Sequence, residues 1–404
     1  MLKKINVNQL IVGMYLHEVC GSWMENPFWK SGFIITDPKE IQKILASSIS
    51  DVWIDNAKGF DISSGESVAD EPGSAQDEKP EALPQTKTVS VADELERAAQ
   101  ICAKSKRAVM AMFQEARMGA AVNTADAQKL VEDISDSINR SPNALISLAR
   151  LKSADDYTYM HSVAVCALMV ALSKCLHLDK AQTRSAGIAG LLHDLGKAVI
   201  PLEILGKPGK LTDEEFTVIK THPKEGHQLL LSSSGVDDIA LDVVLHHHEK
   251  TDGSGFPEGL KDSEITLYAK IGAICDVYDA ITSNRPYKAG WDPSESLRKM
   301  AEWTHGHFDP KIFQAFVKSL GIYPIGSLVR LSSGRLGIVI EQSEHSLLQP
   351  SIKVFYSTYA NVRIPPEIID LSRKSCKEKI VGREDPAIWN FPDLNEIWSG
   401  LKGY

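Results

Sequence analysis

No two of the six cysteines (Cys20, Cys102, Cys166, Cys175, Cys275 and Cys376) form a CxxC pair or a tight cluster. That excludes a disulfide-stapled scaffold and a cysteine-rich zinc site. Several of them fall inside apolar helical patterns, which predicts reduced, buried thiols of a cytoplasmic protein. Long apolar runs are also lacking. The longest, Val163 to Leu172, is far short of the ~20 residues of a membrane span. The N-terminal MLKKINVNQLIVGMYL is interrupted by Asn6, Asn8 and Gln9, so it makes a poor signal peptide. An excess of basic residues is missing as well: 44 Lys and Arg against 53 Asp and Glu give a net charge of −9. Such a field disfavours general binding to nucleic acid or an anionic membrane, while leaving room for a local basic pocket. The reading is a soluble protein with no DNA partner and no membrane span.

What is present is ordinary globular composition, 43% apolar and 24% charged, over 404 residues. That length suggests two or three units. Residues 1–62 mix short apolar runs (Leu10–Ile11, Phe33–Ile35, Val52–Ile54) with one helical stretch, Pro38 to Ser47, and predict a small α+β domain. Residues 63–90 read as a flexible acidic linker: Ser63 to Gln85 holds three prolines and six acidic residues with almost nothing large and apolar. Helical periodicity then dominates residues 91–322. The predicted helices cover Ala125–Ile138, Asn143–Leu151, Tyr157–Cys175, Arg184–Leu192, Asp213–Leu231, Asp237–His248, Tyr268–Ser283 and Pro293–Trp303. A preceding helix, Asp93 to Met118, is apolar on one face, which offers a surface for a homodimer. In residues 323–404 the period shortens. Ser327–Leu331 and Leu336–Ile340, joined through Ser332-Ser333-Gly334, predict a hairpin, and Ile352–Tyr356 a further strand. The fold class is mainly α, with a small α+β N-terminal domain and a short β appendage.

Histidines carry the chemistry. Eight of twelve lie between His161 and His248. His193-Asp194 ends an apolar helix, and delivering both groups into an interior is costly unless each finds a partner. A metal satisfies both, since neutral imidazole and carboxylate are transition-metal ligands. His222 ends another predicted helical stretch, and His246-His247-His248 clusters on the next. Asp276 and Asp279 share one helical face at i, i+3, and His161 begins the buried helix. Five histidines (His161, His193, His222, His247, His248) with Asp194 and Asp276 suit two cations bridged by one carboxylate. His246 falls outside this pattern, and His305 to Pro310 reads as a turn capped by Asp309-Pro310.

HDLGK (His193–Lys197), IPLEILGKPGKLTDEE (Ile200–Glu215), His222, HHEKTDGSGFP (His247–Pro257) and DVYDAITSNRPYKAG (Asp276–Gly290) are long, ordered motifs. Over Asp93 to Leu320 the chain resembles the HD-GYP branch of the HD-domain metal-dependent phosphohydrolases. Gly13-Met14, Ser22-Trp23, Asn26-Pro27-Phe28 and Asp51 to Asp55 resemble a small domain that often precedes HD-GYP domains. The resemblance implies hydrolysis of cyclic di-GMP, a bacterial second messenger, to linear pGpG and in some members on to GMP. It implies two divalent transition-metal ions: iron, manganese, nickel or cobalt. One would be held by His161, His193, Asp194 and Asp276, and the other by Asp194 as bridge with His222, His247 and His248. Two such metals lower the pKa of a bridging water, so hydroxide exists near neutral pH. Asp194 and Lys197 are then the catalytic residues, and Lys197, Phe256, Asp279, Arg285 and Lys288 the substrate-binding ones. Asp279 serves to hold either a histidine or a phosphate-binding basic residue.

Two departures from the family pattern stand out. The signature tyrosine of GYP is Phe256, which keeps the ring and lacks the hydroxyl, in a region that also offers a contact for signalling-protein partners. Members with three metals carry a glutamate four residues before the first ligand histidine, where this chain has Tyr157. Two metals, and a reaction stopping largely at pGpG, are therefore expected. The alternatives are a catalytically weak cyclic di-GMP receptor and a phosphodiesterase for another cyclic dinucleotide. The N-terminal domain has no ligand set of its own, and regulation or docking is its expected role.

Overall fold

In the computed structural model, residues 2–20, 33–45, 51–60, 91–121, 124–151, 157–207, 209–284, 290–343 and 346–401 are described. The chain divides into two units, Met1–Gln85 and Thr86–Tyr404. In the first, β1 (Leu2–Asn6), β2 (Tyr15–Cys20), β3 (Phe33–Ile34) and β4 (Asp51–Asp55) form an antiparallel sheet in the order β1-β4-β2-β3, with α1 (Pro38–Leu45) between β3 and β4. Ile5, Met14, Leu16, Ile35, Ile44, Val52 and Ile54 make its core. Sequence reading missed β1 because Lys3 and Lys4 break the apolar run; Lys4 pairs with Asp51 across the sheet. The Leu10–Ile11 run forms no strand: Leu10 closes a 3-10 turn, Val7–Gln9, capped by Asn6.

The second unit opens with α2 (Val91–Arg117), α3 (Thr124–Arg140), α4 (Ala144–Ala149), α5 (Tyr157–Cys175) and α6 (Lys180–Leu192). After a 3-10 turn, Leu195–Val199, come α7 (Leu202–Leu205), α8 (Asp213–Ile219), α9 (His222–Leu231) and α10 (Asp238–His246). The helical part ends with α11 (Leu267–Thr282), α12 (Pro293–Trp303) and α13 (Pro310–Leu320). α5 is the central rod, buried from Met160 to Ser173. It passes a length and hydropathy test for a membrane span, yet 78% of that window is buried among the other helices. Gly190 of α6 allows a close approach to it: a Cβ there would meet Cys166 Cα at 3.0 Å and Met169 Sδ at 2.9 Å. The apolar face of α2 (Leu95, Ala98, Cys102, Val109, Met112) is buried in the domain, where α2 packs on α3, α4 and α5. The surface that sequence periodicity offered to a second copy is thus already covered.

The stretch expected as one helix from Asp213 to Leu231 is two. α8 stops at Ile219, and Thr221 starts α9, with Pro223 in the first turn where its missing N–H costs nothing. The Asp309-Pro310 turn is the start of α13, Asp309 accepting from the backbone N–H groups of Lys311 and Ile312.

The C-terminal part is an antiparallel sheet in the order β8-β7-β6-β5-β9: β5 (Leu328–Leu331), β6 (Arg335–Glu341), β7 (Ser351–Ser357), β8 (Val362–Asp370) and β9 (Ile380–Arg383). It has its own core of Val329, Leu331, Val339, Ile352, Val354 and Leu371. Two short helices follow, α14 (Pro386–Trp389) and α15 (Leu394–Ser399). Arg383 ties β9 to α12 through Asp292 at 3.4 Å and Glu295 at 2.8 Å.

Candidate metal centre

Helix ends deliver the cluster. His193 is the C-cap of α6 and Asp194 follows it into the 3-10 turn. His222 opens α9, His247 caps α10 and His248 follows. His161 and Asp276 come from within α5 and α11. Gly196 lets the 3-10 turn lie against the start of α9, since a Cβ there would meet His222 O at 1.9 Å and Gly226 N at 2.5 Å. The contact brings Asp194 and His222 together from separate elements.

The two carboxylate oxygens of Asp194 face different histidines. Oδ2 lies 3.5 Å from His161 Nε2 and 3.4 Å from His193 Nε2. Oδ1 lies 3.3 Å from His222 Nε2 and 3.9 Å from His247 Nε2. Around these, His161, His193 and Asp276 form one group able to hold a metal ion, and His222, His247 and His248 another. A third group, His193, Asp194 and His247, joins them. Every ligand expected from sequence is therefore brought to one place.

Ring orientation is fixed from behind. Nδ1 of His193 donates to Gly190 O at 2.8 Å, that of His222 to Ile219 O at 2.7 Å, and that of His247 to the Val243 and Val244 carbonyls at 3.1 Å. Each leaves Nε2 facing the cluster as a lone-pair donor. Among the described residues, His193 Nε2 and Asp194 Oδ1 are buried without a hydrogen-bond partner. Such atoms are costly unless a ligand satisfies them, and a cation satisfies both.

The electrostatics fit the same occupant. Burial and the neighbouring rings of His248, His193 and His222 hold His247 well below the usual imidazole range. Burial pushes His248 down to about 3 against the opposing charge of Asp276. Burial would raise the Asp194 carboxyl, but Lys197 and the His193 and His222 rings outweigh it and keep it well below the usual range. Neutral His247 and His248 beside an ionised Asp194 are in the protonation states that bind metal. His161 differs, since burial would lower it but its hydrogen bonds to Asp276 and Asp279 hold it above the usual imidazole range.

Lys197 Nζ sits 2.5 Å from Asp194 Oδ2, so its charge is directed at the carboxylate that faces both groups of histidines. Asp279 lies behind His161 and accepts from its Nδ1 at 2.6 Å. Of the two roles expected for Asp279, this geometry supports holding a histidine. Asp279→Asn is expected to weaken metal binding about 10–100-fold, with turnover recovering in excess metal. A metal titration of activity checks this, and wild-type metal affinity in the variant would remove the positioning role.

Residues 132–312 match the family described as HD domain, and residues 2–127 the family described as a domain of unknown function (DUF3391). The chain is 51% identical over 402 residues to a Pseudomonas aeruginosa protein named cyclic di-GMP phosphodiesterase PA4108, covering 99% of this chain and 96% of that one. The chain belongs to the HD-GYP family. Less similar relatives include the cyclic di-GMP phosphodiesterase response regulator RpfG of Xanthomonas campestris pv. campestris. It is 35% identical over 195 residues, covering 47% of this chain and 51% of that one. A 3'3'-cGAMP-specific phosphodiesterase 1 of Vibrio cholerae is 33% identical over 177 residues, 44% of this chain and 41% of that one.

The HD-GYP signature loop is bound to the cluster. Phe256 stacks on His248, ring centroids 4.6 Å apart and 30° between planes, and its N–H donates to His248 O. Glu249, 2% exposed, accepts from the N–H groups of Glu258 (2.7 Å), Gly259 (3.1 Å) and Leu260 (2.9 Å), closing the loop on itself. Sequence reading passed over Glu249. Its place beside two ligand histidines was a signal, but its partners are backbone groups that carry no side-chain pattern. Tyr157 lies flat on His161, centroids 5.5 Å apart and 9° between planes. His246 turns away to Asp242 and Glu258. Arg285 and Lys288 lie outside the described residues.

Proposed function

We propose that this HD-GYP protein is a phosphodiesterase that hydrolyses cyclic di-GMP to linear pGpG at a two-metal centre built around Asp194. The observation that carries the reading is the division of one carboxylate between two ligand groups, Oδ2 toward His161 and His193 and Oδ1 toward His222 and His247. The 51% identity to a named cyclic di-GMP phosphodiesterase over nearly its whole length supports the same substrate.

His161, His193 and Asp276 would hold one cation, His222, His247 and His248 the other, with Asp194 shared. Mixed histidine and carboxylate ligands suit iron, manganese, nickel or cobalt. Bound there, such ions polarise the phosphodiester and lower the pKa of coordinated water. The chain's own residues prepare that chemistry. Backbone carbonyls and Asp279 fix the imidazole rings, and Lys197 keeps Asp194 ionised at Oδ2. At the mouth of the centre Lys197 also offers positive charge to a phosphate oxygen. In hydrolysis the water oxygen joins phosphorus, the bond to one sugar oxygen breaks, and that oxygen leaves with a proton. Tyr157 supports two metals and pGpG as the main product, because a phenol does not replace a carboxylate as ligand to a hard cation. Five free cysteines among the described residues fit a reducing cytoplasm.

The test is turnover of cyclic di-GMP and of 3'3'-cGAMP by purified protein, with metal content measured on the same sample. Turnover of cyclic di-GMP with about two metals per chain is the expected result. Turnover of 3'3'-cGAMP alone would move the substrate, and failure to take up metal on reconstitution would overturn the centre.

A further inference from the structure

We infer that Lys220 binds the second, non-reacting phosphate of the cyclic dinucleotide. The inference rests on the phosphodiesterase reading above. A cyclic dinucleotide carries phosphates on opposite sides of its sugar–phosphate ring. When one lies at the metal cluster, the other keeps its full charge, and a chain of net charge −9 must supply a local cation for it. Lys197 faces Asp194 and the reacting phosphate, and Arg285 and Lys288 lie outside the described residues. Lys220 makes no ion pair among the described residues, although several acidic side chains lie on the same helix.

The geometry holds Lys220 at the rim of the centre. It caps the C-terminus of α8, two residues before His222. Its ammonium lies over the ring of Phe216 at 4.7 Å and over that of Phe256 at 5.7 Å. Phe256 in turn stacks on His248. The sequence of contacts from solvent inward is therefore phenylalanine, ammonium, phenylalanine, ligand histidine. Aromatic faces direct an ammonium without cancelling its charge, which a carboxylate would do. Lys220 is exposed and Phe216 keeps 46% of its surface in solvent, so the charge stands at an open edge on the His222 and His248 side. Phe256 can do this without the tyrosine hydroxyl, because the ring face is what Lys220 uses.

The test compares cyclic di-GMP with bis(p-nitrophenyl) phosphate, a diester with a single phosphate, using wild type, Lys220→Gln and Lys220→Arg. Lys220→Gln is expected to raise KM for cyclic di-GMP by about tenfold or more, with a smaller effect on kcat. Its loss in kcat/KM should be at least about tenfold greater on cyclic di-GMP than on the one-phosphate diester. Lys220→Arg should restore KM to within a few-fold. Metal content and Tm of each variant confirm that the centre is intact. An unchanged KM for cyclic di-GMP would overturn the inference. Equal losses on both diesters would overturn it too, placing Lys220 in support of His222. Wild-type protein that holds its metals and hydrolyses neither diester would instead sink the phosphodiesterase reading, and the inference with it.

Discussion

Asp194→Ala is expected to lose both metals and with them turnover, by about a thousandfold or more. Most ligand losses damage one group. This one removes Oδ2 from beside His161 and His193, and Oδ1 from beside His222 and His247, in a single change. It also strips Lys197 of its partner and leaves a cation facing a ring of imidazoles. His222→Ala is the informative comparison, because it takes a ligand from the His222, His247 and His248 group alone. Metal analysis of the two purified variants separates the cases: near zero per chain for Asp194→Ala, and an intermediate value for His222→Ala. Asp194→Ala protein that keeps two metals would show that the carboxylate is not shared.

The second large effect needs no ligand to be touched. Gly196→Ala places a methyl group 1.9 Å from His222 O and 2.5 Å from Gly226 N, both backbone atoms that cannot rotate away. The 3-10 turn must withdraw from α9, and Asp194 is drawn from His222 as it goes. Overpacking of this kind costs about 3 kcal/mol or more, a fall in Tm of roughly 5–10 °C for a domain of this size. Metal affinity should fall as well, most at the His222 group. Gly382→Ala is the control: nothing lies within 4 Å of the added methyl group. Thermal unfolding with and without added metal checks the pair. A Gly196→Ala protein as stable as wild type, with full metal content, would refute the close approach as the organiser of the centre.

Four of the seven expected ligands were legible as the adjacent pairs His193-Asp194 and His247-His248 in apolar stretches, while His161, His222 and Asp276 stand singly and were placed by the resemblance to the HD-GYP pattern. α5 was legible from end to end, its fourteen buried positions running unbroken. Asp179 was not: it caps α6 by accepting from Gln182 N at 2.8 Å, and the helix begins at Lys180, four residues ahead of the predicted start, in a stretch whose polarity hid it. The break between α8 and α9 escaped too, although Pro223 marked it, because the apolar period runs on across it. In the C-terminal sheet, β8 holds two adjacent prolines, Pro365 and Pro366, residues that a strand seldom carries. They are accommodated because β8 is an edge strand, and its pairing with β7 shifts register over the span that contains them. Asp279 shows the limit in the site itself. Its spacing from Asp276 was visible, but its partner His161 is 118 residues away.

A fragment cut after α13 would keep every ligand and look like a trimmed catalytic core. It would also discard Arg383. Asp292, whose side chain is 6% exposed, caps α12 by accepting from Glu295 N at 3.0 Å on Oδ1, and the Arg383 guanidinium meets that same oxygen at 3.4 Å. Burial already pushes its carboxyl up. Without that arginine a nearly enclosed acid loses its ion-pair partner, and only the Glu295 N–H and the charge of Arg150 offset its burial, a few residues after the segment that carries Arg285 and Lys288. The last strand is in this sense a latch on the catalytic fold, and the smallest useful fragment extends beyond it.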